Sequence, residues 1–151
     1  MANARIGPSV PFNSPIAETV SEAKQLANSD SGKIFFVDNS AAFTINLPEL
    51  SANMAGWNCK FVVSVDGSAV VSLMANGLTS AGGTVGDAES VIYREFQTVD
   101  ATGTAYTSSQ DGMTIAAASV IGDTVDVITD GTSWFMTAML HEVAHADDVD
   151  A

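Results

Sequence analysis

Residues 122–140, GDTVDVITDGTSWFMTAML, constrain the fold more than any other part of the chain. Two apolar runs flank Asp130-Gly131. An Asp-Gly pair in that setting is a strong β-hairpin signal, because glycine accepts the positive φ of a tight turn. Trp134, Met136, Ala138 and Leu140 recur at every second position of the second run. That period puts all four on one face of a strand and predicts that this face is buried.

The same period recurs from Lys33 onward. Residues 33–38 (KIFFVD) read as a strand, and Asn39-Ser40 as the turn after it. Phe43, Ile45 and Leu47 alternate with Thr44 and Asn46, and Pro48 ends that strand. Residues 57–65 and 68–74 flank Asp66-Gly67, which reads as a second hairpin. Residues 76–87 are glycine-rich and read as loop, and 100–111 are small and polar and read as an exposed excursion. Residues 89–99, 113–119, 123–129 and 132–140 read as strands. The total is about eight short strands, with turn signals roughly every 8–12 residues. It predicts an all-β domain, a small β-sandwich or barrel of antiparallel strands.

The flanks differ from this pattern. Residues 1–13 contain Gly7, Pro8 and Pro11 and read as an extended arm. Over 14–30, Ser14 can cap a short helix with Pro15 at its first position. Ile16, Val20, Ala23 and Leu26 give that helix a modest apolar face, and a linker follows. The β domain then spans 31–140. Residues 141–151 form an acidic tail whose last six positions hold Asp147, Asp148 and Asp150, and the tail is expected to be mobile. The arm carries Arg5 together with Ile6, Val10 and Phe12, apolar side chains with no strand to join. An exposed apolar arm marks a partner, so these four are the candidate partner-binding residues.

Composition narrows the function. A chain of 151 residues suits one domain with a real core. No apolar run approaches the roughly 18 residues of a membrane span, and the opening residues lack the apolar centre of a secretory signal. Five basic residues face eighteen acidic ones, for a net charge of −13. Nucleic-acid binding needs a basic footprint, so it is not expected. Docking to an anionic membrane is disfavoured for the same reason. The single cysteine, Cys59, rules out an internal disulfide and is expected to be buried as a small hydrophobe. Trp57 and Trp134 are core candidates by alternation.

The sequence that matches catalytic chemistry is His141-Glu142-Val143-Ala144-His145. Two histidines at i and i+4 on a helix can bind zinc while the glutamate polarises water. Here the match follows a predicted strand and stands near the end of the sequence. A third ligand would have to come from Asp147, Asp148 or Asp150, and the last two lie on a segment too short to fold back as an element of its own. The match of His141, Glu142 and His145 is therefore read as coincidental. Asp126 and Asp130 read as solvated turn residues rather than an acid–base pair. Asp66-Gly67 and Asp111-Gly112 lack the spacing of a calcium loop. No phosphate-binding loop or nucleophile elbow is present. No cofactor is expected, and the chain is not expected to be an enzyme.

The run SGKIFFVDNSAAFTINLPELSANMAGWNCKFVV resembles the opening of a β-module of tailed-phage virion proteins, and GDTVDVITDGTSWFMTAML resembles its closing hairpin. Together the two runs cover about a third of the chain. The resemblance rests on turn residues and apolar alternation, and it carries no active-site residues. The module occurs as a β-sandwich or barrel in capsid decoration (cement) proteins and in fibre or tail proteins. It implies a non-enzymatic structural protein on the outer capsid surface of the virion, bound to the major capsid protein. A homotrimer is the expectation it brings. The alternatives are a head- or tail-fibre component that binds a host receptor and a zinc metallopeptidase acting through HEVAH. Exposed aromatic residues in 76–87 or 100–111 would favour the fibre.

Overall fold

The computed structural model describes residues 17–75, 92–98, 105–110, 112–141 and 146–149. Among them, twelve strands form two sheets. The larger sheet has the spatial order β1 (Ala17–Val20), β3 (Ile34–Val37), β5 (Asn58–Val63), β10 (Thr124–Thr129), β11 (Trp134–Leu140), β7 (Ile92–Thr98) and β8 (Ala105–Gln110). The smaller has the order β12 (Ala146–Val149), β9 (Gly112–Ile115), β6 (Val71–Met74), β4 (Phe43–Asn46) and β2 (Lys24–Gln25). Neither sheet closes into a barrel.

The fold is largely β, as expected, but the strands are not all antiparallel. From β1 to β6 the chain alternates between the sheets. β1, β3 and β5 are parallel neighbours in the larger sheet, and β2, β4 and β6 are parallel neighbours in the smaller. Parallel neighbours need a crossover connection. Here each crossover is a strand of the opposite sheet, so the first half winds like three turns of a two-sided coil. The second half reverses direction. β10 runs antiparallel to β5, and β9 antiparallel to β6.

This winding corrects one predicted hairpin. β5 and β6 flank Asp66-Gly67 but lie in different sheets. Asn39-Ser40 likewise turns the chain from one sheet to the other. Asn39 is fully buried there, and its Nδ2 donates to Ser119 Oγ at 2.9 Å and to Ala69 O at 3.3 Å. The Asp130-Gly131 hairpin forms as expected. β10 and β11 pair from Thr124↔Met139 to Thr129↔Trp134, and Gly131 has φ 92°. Asp130 Oδ1 accepts from Thr132 N and Ser133 N, each at 2.8 Å, which holds the turn.

The helix expected over 14–30 is absent from the described part of that segment. Residues from Ala17 form β1 and β2, followed by one 3-10 turn at Asn28–Asp30. An isolated helix of this length is marginal in water. Pairing of β1 with β3, Ala17↔Ile34 to Val20↔Val37, overrides the local preference. Residues 105–110, read as loop, form edge strand β8. Within the tail, Ala146–Val149 form β12, which pairs antiparallel with β9, with Asp147 opposite Thr114 and Asp148 opposite Met113. The arm, with Arg5, Ile6, Val10 and Phe12, lies outside the described residues.

The inner faces of both sheets share one core. Trp134, Met136, Ala138 and Leu140 all point into it, as their period requires. Trp57 meets Trp134 edge-on, with centroids 5.2 Å apart, and Phe35 stacks on Phe61 at 5.4 Å. Each large side chain buried this fully contributes about 1.5–3 kcal/mol of transfer free energy. Cys59 is buried among them, as expected.

Candidate functional site

The outward faces of the two sheets differ in character. On the smaller sheet, Thr44, Asn46 and Ser72 point away from the core together with Met74, a mostly polar face. On the larger sheet the outward positions follow from the register. Phe36 lies beside Val62, Val62 beside Thr124, and Thr124 beside Met139. Ile34 lies beside Lys60, Lys60 beside Asp126, and Asp126 beside Thr137. Ile128 lies between Asn58 and Phe135. Six large apolar side chains, Ile34, Phe36, Val62, Ile128, Phe135 and Met139, therefore face away from the core.

Single exposed apolar residues are ordinary on any protein surface. Clustering is the informative feature. Six large apolar residues are exposed among the described residues, and four of them, Phe36, Ile128, Phe135 and Met139, sit on this one face. Met139 is 53 % exposed and Ile128 49 %, values far from those of a core side chain. A shallow groove of 490 Å³ runs between Ile34, Lys60, Asp126, Ile128, Phe135 and Thr137.

The electrostatics of the face are equally distinct. Among the outward positions of β1, β3, β5, β10 and β11, the only charged residues are Lys60 and Asp126. Lys60 Nζ and Asp126 Oδ2 are 3.1 Å apart, so these five strands present a neutral surface in a chain of net charge −13, with Glu95 of β7 next in register beside Thr137. Asp126 is thus half of a surface ion pair on a strand, not the turn residue expected. Asp130 is the turn residue.

Sequence reasoning missed this face, although the sequence carried a signal. Ile34-Phe35-Phe36-Val37 is an unbroken apolar run, and so is Phe61-Val62-Val63. A strand with one solvated face alternates, whereas an unbroken run is the mark of a strand with both faces covered.

Of the zinc motif, only His141 lies among the described residues. His141 directly follows β11, and its backbone N donates to Asp123 Oδ1 at 2.8 Å. Glu142 and His145 lie outside the described residues. The residues immediately after the motif form strand β12. Among the described residues no three metal-ligating side chains gather. Asp66 Oδ1 accepts from Ile121 N at 3.2 Å and ties two loops together. Burial, and secondarily the charges of Asp30 and Asp126, pushes the Cys59 thiol far up, which disfavours the nucleophilic thiolate.

A second polar cluster sits at the β1 end of the molecule. Lys24 and Lys33 both reach Glu18, and Lys33 Nζ also reaches Asp30 Oδ1 at 2.6 Å. Its hydrogen bonds tie β1, β2 and the turn before β3, which is a structural role at an edge strand. No protein-family model matches the chain, and no curated protein sequence matches it.

Proposed function

We propose that this chain is a non-enzymatic virion structural protein, a capsid decoration (cement) protein that binds the outer shell of a tailed phage as a homotrimer and stabilises it. In this reading the two sheets form the β-sandwich of the virion module. The observation that carries the reading is the apolar outer face of β3, β5, β10 and β11, whose one cation and one anion pair with each other, the kind of surface that marks a protein interaction site. Its position adds support. The two segments that resemble the virion module supply β3, β5, β10 and β11, four successive strands of that sheet. They are distant in sequence and adjacent in the fold, as parts of one module should be.

The arm is assigned to the shell. Ile6, Val10 and Phe12 give it apolar contacts, and Arg5 gives it a cation in a chain that has only five. It orders on the major capsid protein and loses its conformational freedom at that step. The test is cosedimentation with phage particles that lack the protein. Removal of residues 1–13 should abolish binding while the circular dichroism of the β domain is unchanged, since the described strands begin at Ala17. Undiminished binding by the shortened chain would overturn the assignment of the arm. Failure of the full chain to bind any such particle would overturn the virion reading itself.

A further inference from the structure

We infer that the outer face of the larger sheet is the surface through which copies of this chain associate with one another, with Lys60 of one copy facing Asp126 of the next. The inference deepens the trimer proposed above and rests on that reading for the number of copies. The choice of face rests on the structure alone.

Charge selects the occupant. Every added copy brings a further −13, so association through most of the surface gathers like charges. The outer face of β1, β3, β5, β10 and β11 avoids this cost, because the only two charges on those strands cancel. It is also self-complementary. A cation and an anion lie side by side near the centre of the sheet, on β5 and β10, the third and fourth of its seven strands. Around a three-fold axis, Lys60 and Asp126 from three copies would alternate in sign. Each lysine then meets an aspartate of its own chain and one of a neighbour. Lys60 and Asp126 are 40 % and 47 % exposed, so both can reach a second partner without breaking the first contact.

Size is consistent with the same occupant. Strands lie about 4.8 Å apart and rise about 3.3 Å per residue. The five strands β1, β3, β5, β10 and β11, six residues long at the centre, therefore present a face roughly 24 Å by 20 Å, or about 500 Å². A stable interface of standard size uses roughly 800 Å² per partner. These five strands alone supply more than half of that. Ile128 and Met139 flank the charge pair on either side, where water would be excluded first.

The test is sedimentation velocity on the full chain and on three variants, with the particle-binding assay run in parallel. Ile128→Asp and Met139→Asp each place a charge on the apolar part of the face. Asp126→Lys removes no apolar contact and crowds two cations per copy at its centre. The wild-type chain is expected to sediment as a trimer, and Ile128→Asp and Met139→Asp as monomers with unchanged circular dichroism. Asp126→Lys should dissociate at low salt and reassociate in about 1 M NaCl, where screening acts within roughly 3 Å. Salt-dependent reassembly separates repulsion between copies from damage within one copy. A monomeric wild-type chain, or a trimer that survives all three substitutions, would overturn the inference. A monomer that still binds particles overturns the self-association face and leaves the virion reading standing. Variants that stay trimeric but lose particle binding would assign the face to the capsid protein instead.

Discussion

Replacing Gly67 by alanine would set a Cβ 2.5 Å from Asn39 Nδ2, 2.7 Å from Ser119 Oγ and 2.8 Å from Ala117 O. Real Cβ atoms do not approach other atoms so closely, so something must move. Asn39 is fully buried and ties the turn after β3 to Ser119 and Ala69. Moving it strains or breaks those hydrogen bonds. Overpacking costs about 1–3 kcal/mol. A buried polar group left unpaired adds about 1–3 kcal/mol. The expected destabilisation is therefore about 2–6 kcal/mol, read as a lower urea midpoint at unchanged slope. Gly32→Ala is the control. Gly32 has φ +81° with no atom near its Cβ, so only backbone strain of about 1–2 kcal/mol applies. A double-mutant cycle sharpens the test. With Asn39→Ala in place, Gly67→Ala should cost less, with a coupling of about 1 kcal/mol or more. The close-approach account is refuted if Gly67→Ala is no more harmful than Gly32→Ala.

Four further outcomes are expected. Burial alone would raise the Asp30 carboxyl, but hydrogen bonds from Lys33 and the Ala27 N–H outweigh it and hold its pKa below the ordinary value. A lowered folded-state pKa stabilises above the unfolded value and is lost as pH falls through the folded one. Urea midpoints should thus drop below about pH 4, and Asp30→Asn should flatten that drop; an identical acid profile would contradict the assignment. Phe61→Ala, which removes a fully buried ring stacked on Phe35, should cost about 3–5 kcal/mol in urea unfolding. Cys59 should resist a thiol reagent at pH 8 in the folded protein and react fully in urea, and fast labelling of folded protein would contradict its burial. Added zinc should leave the melting temperature unchanged, whereas a rise that Glu142→Ala or His145→Ala removes would revive the metallopeptidase reading.

Local signals were legible in the sequence and long-range winding was not. Asp130-Gly131 announced the β10–β11 hairpin because the turn needs a residue of positive φ, and Gly131 has it. Asp66-Gly67 looked the same but serves another purpose. Gly67 is not among the positive-φ glycines, and it is there because Asn39 and Ser119 leave no room for a side chain. A dipeptide cannot distinguish these two uses. The mistaken helix had a warning within it, since Glu18 and Glu22 would stand one turn apart as like charges. In the fold Glu18 instead reaches Lys24 and Lys33. Parallel pairing was beyond sequence reasoning, because Ala17 finds Ile34 only after the chain has crossed the other sheet and returned. The outer face was readable in principle from IFFV and FVV. It was missed because an unbroken apolar run is easily assigned wholly to the core.

The most direct test of the proposal that this chain is a self-associating, non-enzymatic structural protein is a native mass spectrum of the purified chain at neutral pH with trace zinc present. A mass of three chains without metal is the expected result. A mass of one chain carrying one tightly held zinc would contradict the account and return the histidines at 141 and 145 to the centre of it.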